Sequence, residues 1–302
     1  MRPLQFDWPE SPIQQVTSPI IQKQQITLNI KRDDLLHPTI SGNKWRKLKY
    51  NLKEMQKNNK NAFLTFSGPF SNHLYAAGMA ARLYNIQGNI IIRGPNIDEL
   101  NPTIKMARAC KLHLYPVNRL TYRQRNEPAY QNKLRNTFPH CHLIPEGGSN
   151  HAALEGVKEL AGSLNNTDYI VCATGSGGTL AGLIGGIPES TQLIGVAVLK
   201  NAEYLRQDII KLNPNAAIQH NWQLLCDHHD GGYGKFSKTL WLFCKKMKHV
   251  YNLPLEPIYT GKAFYALWNL IEQGYFPAQS HITFIHTGGL QGLDGLRYRD
   301  MI

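Results

Sequence analysis

The sequence has no long hydrophobic run. No stretch of its 302 residues approaches the ~20 consecutive apolar residues that a transmembrane helix needs. The segment Met1–Pro9 also has no apolar core of the kind found in signal peptides. We therefore expect a protein that is not a membrane protein and that stays in the cytoplasm.

Cysteine is scarce and dispersed. The five cysteines form no CxxC pair and show no spacing typical of metal ligands. This pattern excludes a disulfide framework and favours idle thiols in a reducing compartment. We predict no metal site, and no flanking sequence supports a catalytic cysteine.

Several common functional motifs are also missing. The chain has neither the lysine of a Walker loop nor the spacing of a dinucleotide fingerprint, and no nucleophile elbow of a serine hydrolase. Acidic residues are outnumbered, 21 against 33 Lys and Arg, which gives a net charge of +12. Because no nucleic-acid motif accompanies this charge, we interpret it as a solvated surface that attracts small anions. Nucleic-acid binding is the alternative, and it predicts salt-sensitive retention of DNA or RNA.

Strand and helix patterns alternate from about residue 62 onward, which is typical of parallel sheets covered by helices on both faces. The first 24 residues, rich in Pro and Gln, are predicted to form an irregular arm. The predicted strands are 25–31, 62–66, 88–93, 112–115, 141–144, 169–173, 192–198 and 280–286. The predicted helices are 43–55, 71–84, 101–110, 121–136, 150–164, 202–212, 236–250 and 261–273, with one more directly after residues 174–179. From the positions of the motifs we expect two α/β domains, a large one (1–57 and 147–302) and an inserted small one (58–146).

A glycine-rich segment, Thr174-Gly175-Ser176-Gly177-Gly178-Thr179, lies between a predicted strand and a predicted helix. Glycines let backbone N–H groups point inward, and the start of a helix carries partial positive charge. The hydroxyls of Ser176 and Thr179 can donate further hydrogen bonds to an anion. The segment therefore predicts a phosphate site, although a tight turn without a ligand would give the same pattern.

Lys44 lies at the start of a predicted helix, among other cations such as Arg46 and Lys47. A lysine that forms a Schiff base must be partly unprotonated, and both burial and nearby cations lower its pKa. The alternative is that Lys44 is one more lysine on a basic helix face.

Polar side chains occur at the ends of other predicted elements. Ser71 and Asn72 begin a helix, where they can act as caps or contact a ligand. Tyr259, Thr260 and Thr287 follow extended segments, whose ends line the crevices of α/β sheets. Tyrosines at such positions also occur as packing residues.

With these residues the sequence resembles the 1-aminocyclopropane-1-carboxylate deaminase and D-cysteine desulfhydrase family. The resemblance runs from about Lys31 to the C-terminus. It is carried by Lys31–Leu35, Ser41–Leu48, Ser71–His73, Pro145–Ser149, the 174–179 loop, Tyr259–Lys262 and His286–Gly289. The resemblance implies fold-type II architecture, with two parallel-rich twisted sheets flanked by helices and pyridoxal 5'-phosphate in an interdomain cleft. It also implies a homodimer.

The resemblance further implies roles for single residues. Lys44 would form the Schiff base with the cofactor and move protons, and Asn72 would bond the phenolic oxygen of the cofactor. The loop from Thr174 to Thr179 would hold the phosphate. Thr260 would face the pyridine nitrogen, with Thr287 close by.

For the substrate, the resemblance places Ser71 beside the carboxylate. It also implies that Tyr259 and Tyr233 match the tyrosines that lie near the substrate in the family. Members of the family that open a cyclopropane ring carry a glutamate after the tyrosine, where this chain has Thr260. A hydroxyl leaves the pyridine nitrogen largely neutral, which favours β-elimination of a good leaving group. We therefore predict that D-cysteine is converted to pyruvate, sulfide and ammonia. The alternatives are a cyclopropane-acid deaminase, another amino-acid lyase or racemase, and a regulatory protein that binds the cofactor without turnover.

Overall fold

The computed structural model describes residues 4 and 6, residues 8–40 and residues 42–302. Ser41, the first residue of the lysine motif, and residues 1–3, 5 and 7 of the predicted arm lie outside this range. The strands are β1 (Ile13–Val16), β2 (Thr27–Lys31), β3 (Ala62–Ser67), β4 (Gln87–Arg93), β5 (His113–Val117), β6 (Cys141–Ile144), β7 (Tyr169–Thr174), β8 (Gln192–Ala197), β9 (Trp222–Leu225) and β10 (His281–Ile285).

The helices are α1 (Pro19–Lys23), α2 (Gly42–Lys57), α3 (Asn72–Tyr84), α4 (Pro102–Ala109), α5 (Arg119–Arg123), α6 (Pro128–Thr137), α7 (His151–Ala161), α8 (Gly178–Ile184), α9 (Leu205–Leu212), α10 (Lys238–Tyr251), α11 (Thr260–Glu272) and α12 (Gly292–Tyr298). No helix in the described part of the chain is long and apolar enough to cross a membrane.

The chain forms two compact units. Unit 1 consists of residues 1–7, 44–153 and 291–302, and unit 2 of residues 8–43 and 154–290. The compact units change at 7/8, 43/44, 153/154 and 290/291. The domain boundaries expected from the motifs, at 57/58 and 146/147, stay a prediction.

Unit 2 contains a six-stranded sheet in the order β1-β2-β10-β7-β8-β9. Only β1 is antiparallel to its neighbour, and Phe284 of β10 lies opposite Ile30 on one side and Val171 on the other. The two faces are covered by separate hydrophobic clusters, one with α10 and α11 and the other with α7, α8 and α9. Because its parallel strands end at the same edge, the loops after β7 and β10 begin there together.

Unit 1 contains a four-stranded parallel sheet in the order β5-β4-β3-β6. All six residues of β3 are buried, as expected for a central strand covered on both faces. The small face of α3 permits close packing, because a Cβ at Gly78 would lie 3.1 Å from Sδ of Met106. The α/β class with parallel-rich sheets is therefore confirmed.

The predicted irregular arm was wrong over residues 13–23. Ile13–Val16 pairs antiparallel with β2, with Ile13 opposite Lys31. Helix α1 then begins at Pro19, capped by the Ser18 hydroxyl, which accepts a hydrogen bond from the N–H of Ile21. Proline and serine at a helix start were available signals, but four residues of β1 gain stability only by joining a sheet formed elsewhere in the chain.

Three other elements differ from the prediction. The helix predicted at 121–136 is two helices, α5 and α6, because Pro128 has no N–H and starts a new helix. Strand β9 is only four residues long, and α12 contains two glycines, so neither showed a clear periodicity.

Candidate active site

The glycine-rich loop in unit 2 connects β7 to α8 by a turn that requires glycine. Gly177 has φ +76°, and a Cβ there would lie 2.7 Å from Cγ1 of Ile209. No side chain caps the N-terminus of α8. The backbone N–H groups of this turn are therefore suited to an anion.

Two threonines flank the loop with complementary hydroxyls. Thr174 Oγ1 is buried and has no hydrogen-bond partner among the described residues. Thr179 Oγ1 accepts a hydrogen bond of 2.8 Å from Nδ2 of Asn43, so its own hydrogen remains free to donate. Asn43 was not among the candidate site residues, and its only signal was its place beside Lys44.

Helix α2 begins against the backbone of Thr287, and this contact fixes the residues just before Lys44. The N–H of Asn43 donates to the carbonyl of Thr287 at 3.2 Å. Gly42 has φ +71°, and a Cβ there would lie 2.0 Å from the same carbonyl oxygen. Only glycine fits this approach.

Lys44 lies in the first turn of α2, within unit 1, and keeps part of its surface exposed. The protein atoms packed around its amine lower the pKa of Lys44 to about 8, against the opposing effect of the Glu146 carboxylate. A measurable fraction of this amine is therefore unprotonated near neutral pH, which is the state a nucleophilic lysine needs.

Ser71 and Asn72 begin helix α3 in unit 1. The Ser71 hydroxyl accepts a hydrogen bond from the N–H of His73 at 3.1 Å, so Ser71 is an N-cap and still has a hydrogen to donate. Asn72 Oδ1 accepts a hydrogen bond of 3.0 Å from Nε2 of Gln291, which leaves the amide N–H groups of Asn72 for a ligand oxygen. Gln291 is 219 residues away in sequence, so nothing in the sequence indicated it.

Tyr259 lies beside the glycine-rich loop in unit 2. A Cβ at Gly175 would lie 3.0 Å from Cε1 of Tyr259, so the absence of a side chain lets the ring approach the loop. The rings of Tyr259 and Tyr233 have centroids 6.0 Å apart and an interplanar angle of 70°. The structure thus brings both predicted tyrosines together.

Thr260 is fully buried, and its hydroxyl donates to Oε1 of Glu256 at 3.0 Å. The same carboxylate accepts the backbone N–H groups of Ile258, Tyr259 and Thr260 at 2.7 to 3.1 Å. Burial nevertheless raises the pKa of Glu256 to about 7. Glu256 was not predicted, although an acidic residue just before a helix was an available signal.

The motif at Lys31–Leu35 has a structural role in unit 2. The Arg32 guanidinium donates two hydrogen bonds to the Asp34 carboxylate at 2.8 and 2.7 Å, and Asp34 lies 3.6 Å from Nδ1 of His286. Because Nδ1 of His286 accepts the N–H of Gly288, its Nε2 donates to the carbonyl of Pro254 at 2.6 Å. This network holds the chain on both sides of Thr287.

Comparison with known proteins decides the family of this chain. Residues 10–288 match the family described as pyridoxal-phosphate dependent enzyme. The chain belongs to this family.

Individual relatives come from the deaminase and desulfhydrase family that the sequence resembles. A Pyrococcus horikoshii protein provisionally named 1-aminocyclopropane-1-carboxylate deaminase is 29% identical over 94% of this chain and 90% of its own length. The mitochondrial bifunctional D-cysteine desulfhydrase/1-aminocyclopropane-1-carboxylate deaminase of Arabidopsis thaliana is 29% identical, over 87% of this chain and 72% of its own. A crystal structure of a deaminase homologue superposes with a TM-score of 0.81 and 28% identity, covering 97% of this chain and 94% of that one. The fold is thus that of a fold-type II enzyme dependent on pyridoxal phosphate, as the sequence predicted.

The residues present fit pyridoxal phosphate. The turn at Gly177 and the unpartnered Thr174 hydroxyl suit its phosphate, and the lowered pKa of Lys44 suits attachment of its aldehyde. Lys44, Ser71 and Asn72 belong to unit 1 and the other candidates to unit 2. The location of the cofactor in an interdomain cleft stays a prediction.

Proposed function

We propose that this enzyme is a D-cysteine desulfhydrase-like lyase that converts D-cysteine and water to pyruvate, hydrogen sulfide and ammonia. The observation that carries the proposal is the turn at Thr260. Thr260 offers the neutral oxygen of a hydroxyl at this position, because its hydrogen is donated to Glu256. The Glu256 carboxylate itself accepts the backbone N–H groups of its own turn. A hydroxyl at the cofactor ring favours elimination of a good leaving group over the more demanding ring opening.

One group of residues would bind the cofactor. The loop from Gly175 to Thr179 would hold the phosphate, and Asn72, oriented by Gln291, would donate to the phenolic oxygen. Bound pyridoxal phosphate supplies an electron sink for the electrons of the α-C–H bond.

The remaining groups would act on the amino acid. The Lys44 amine, with its pKa of about 8, would remove the α-proton, and Tyr259 is the second candidate for this base. The Ser71 hydroxyl would donate to the substrate carboxylate. Tyr233 and Tyr259 would contact the β-substituent of the bound amino acid.

The test is release of pyruvate and sulfide from D-cysteine by the cofactor-loaded protein, with L-cysteine and 1-aminocyclopropane-1-carboxylate assayed in parallel. Both products from D-cysteine would support the proposal. Ammonia from the cyclopropane acid with no sulfide from D-cysteine would instead assign the deaminase activity. The Pyrococcus horikoshii relative is named for that activity, whereas the name of the Arabidopsis thaliana relative includes both activities. A protein that binds the cofactor but turns over none of the three substrates would contradict this proposal and favour a regulatory role or another amino acid.

Replacing Lys44 with Ala should abolish turnover, because no other residue of this set can supply the same amine. The measurement is the rate of pyruvate formation. Lys57→Ala is the matched control, since Lys57 is exposed at the far end of the same helix. Substantial activity in Lys44→Ala would contradict the mechanism.

We also propose that the enzyme works as a homodimer in the cytoplasm. The support is the resemblance to the family and, for the compartment, the dispersed cysteines, all five of which are free. A molar mass near 34.2 kDa in solution, measured by light scattering, would contradict the dimer.

A further inference from the structure

Tyr233 occupies a glycine-rich loop that has few backbone hydrogen bonds of its own. The N–H of Gly232 donates to the carbonyl of His229 at 3.0 Å, and the N–H of Lys235 donates to the carbonyl of Gly232 at 3.2 Å. Gly231, Gly232 and Gly234 surround it, and all three have positive φ angles. Tyr233 is 49% exposed. Because glycine has more conformational freedom than other residues, these turn hydrogen bonds restrain the loop less than they would restrain other sequences, and a contact from another element adds to them.

A buried lysine reaches this loop from helix α11. Lys262 is 1% exposed, and its Nζ donates to the carbonyl of Gly232 at 2.7 Å and to that of Val198 at 3.4 Å. Gly232 directly precedes Tyr233, and Lys262 lies three residues after Tyr259. One ammonium group therefore connects the backbone next to Tyr233 with the helical turn that follows Tyr259.

Stability alone does not account for a lysine at this position. Burial lowers the pKa of Lys262 to about 8, even though the carboxylates of Asp230 and Glu256 act in the opposite direction. A buried cation is often replaceable by an apolar side chain of similar volume without loss of stability. What an apolar side chain cannot supply is the directed hydrogen bond to Gly232.

We propose that Lys262 is a positioning residue that holds the Tyr233 loop beside Tyr259 and so shapes the part of the site that receives the substrate side chain. This role rests on the proposed function, since it assigns the two tyrosines to the amino acid. Lys262 itself touches neither substrate nor cofactor in this scheme. It acts through the position of Tyr233.

The test compares Lys262→Met with Lys235→Met in the cofactor-loaded enzyme. Lys235 is an exposed lysine two residues after Tyr233, so its replacement removes the same charge from the same region. We expect Lys262→Met to raise KM for D-cysteine about tenfold, the effect of losing one charged hydrogen bond, with kcat within about twofold. Affinity for pyridoxal phosphate, read from its absorption band, should be unchanged. Lys235→Met should leave all three quantities at wild-type values.

A second measurement does not depend on activity. Chymotrypsin should cleave after Tyr233 about tenfold faster in Lys262→Met than in the wild-type and Lys235→Met proteins, because the loop is released. Equal cleavage rates in all three proteins would overturn the inference, as would equal KM values. If the wild-type enzyme has no activity on D-cysteine, the proposed function fails and the cleavage rates alone decide the role of Lys262. If Lys262→Met does not fold, Lys262→Gln, which keeps a shorter donor, takes its place. We expect Lys262→Gln to raise KM and the cleavage rate by less than about tenfold. Wild-type values of KM and cleavage rate in that variant would also overturn the inference.

Discussion

Lys44 shows how neighbouring residues set the chemistry of a single side chain. Burial lowers its pKa to about 8, and the Glu146 carboxylate opposes that effect. Glu146 is held in place by the Arg125 guanidinium at 2.6 Å and the Tyr122 hydroxyl at 2.7 Å. The pKa of His73 falls to about 3 because of burial and the charges of Lys44 and Lys47, so this imidazole is neutral at physiological pH.

Replacing Glu146 with Gln should therefore lower the pKa of Lys44 further. The neutral amine fraction at pH 7 would rise, and acylation of Lys44 in the cofactor-free protein would become faster. The measurement is the pH dependence of acylation of the Lys44 peptide by mass spectrometry. Glu127→Gln, at an exposed position of the same unit, is the control. If the pH at the midpoint of Lys44 acylation is unchanged or higher in Glu146→Gln than in the wild-type protein, this account of Lys44 is contradicted.

At the scale of elements, helix α11 begins on the carboxylate of a residue outside the helix. Glu256 accepts the N–H groups of Tyr259 and Thr260 through its side chain, and the N–H of Gly261 through its backbone carbonyl. This arrangement satisfies donors that a helix start leaves unpaired. It also fixes the direction in which Tyr259 leaves the preceding loop.

The raised pKa of Glu256 predicts an unusual pH dependence of stability. The folded protein holds a proton on Glu256 up to about pH 7, whereas the unfolded chain releases it near 4.5. The contribution of Glu256 to the free energy of unfolding is therefore fully present below about pH 4.5 and is lost as pH rises through about 7. Relative to Glu256→Gln, the wild-type protein should lose up to about 3 kcal/mol over this range, measured by urea unfolding. Glu272→Gln, at an exposed position near the end of α11, should show no such trend. A wild-type protein whose stability relative to Glu256→Gln stays constant or increases as pH rises would contradict the assignment.

At the scale of the whole molecule, the net charge of +12 is confined to one stretch of the chain. Residues 44–153 contain 17 Lys and Arg against five Asp and Glu, and the rest of the chain contains 16 of each. This stretch makes up most of unit 1, and it includes Lys44, Ser71 and Asn72. A field of one sign raises the association rate of anions of the opposite sign.

Association of pyridoxal phosphate with the cofactor-free protein should therefore slow as salt concentration rises. The change should be several-fold between 0.01 and 0.2 M salt, because the Debye length falls from about 30 Å to less than 10 Å. Stopped-flow absorption gives the rate. A rate that does not depend on salt would show that the charge does not act on the cofactor.

The sequence by itself determined the α/β class, most of the strands and helices, the family and the cofactor. These are local or composition-level properties: the period of apolar residues sets the element type, and a short motif such as Ser71-Asn72 keeps its meaning wherever it folds. Glycine at positions 42 and 177 was visible as a residue type. The sequence did not show that the carbonyl of Thr287 and the side chain of Ile209 leave no room for a Cβ at these two positions.

Only the tertiary structure decided which distant residues support the site. Gln291 orients Asn72, Asn43 orients Thr179, and Lys262 holds the loop of Tyr233, each across 30 or more residues. The same is true of β1, whose four residues form a strand because β2 offers a free edge. A hydrogen bond between residues far apart in sequence depends on the path of the whole chain, and no local pattern records that path.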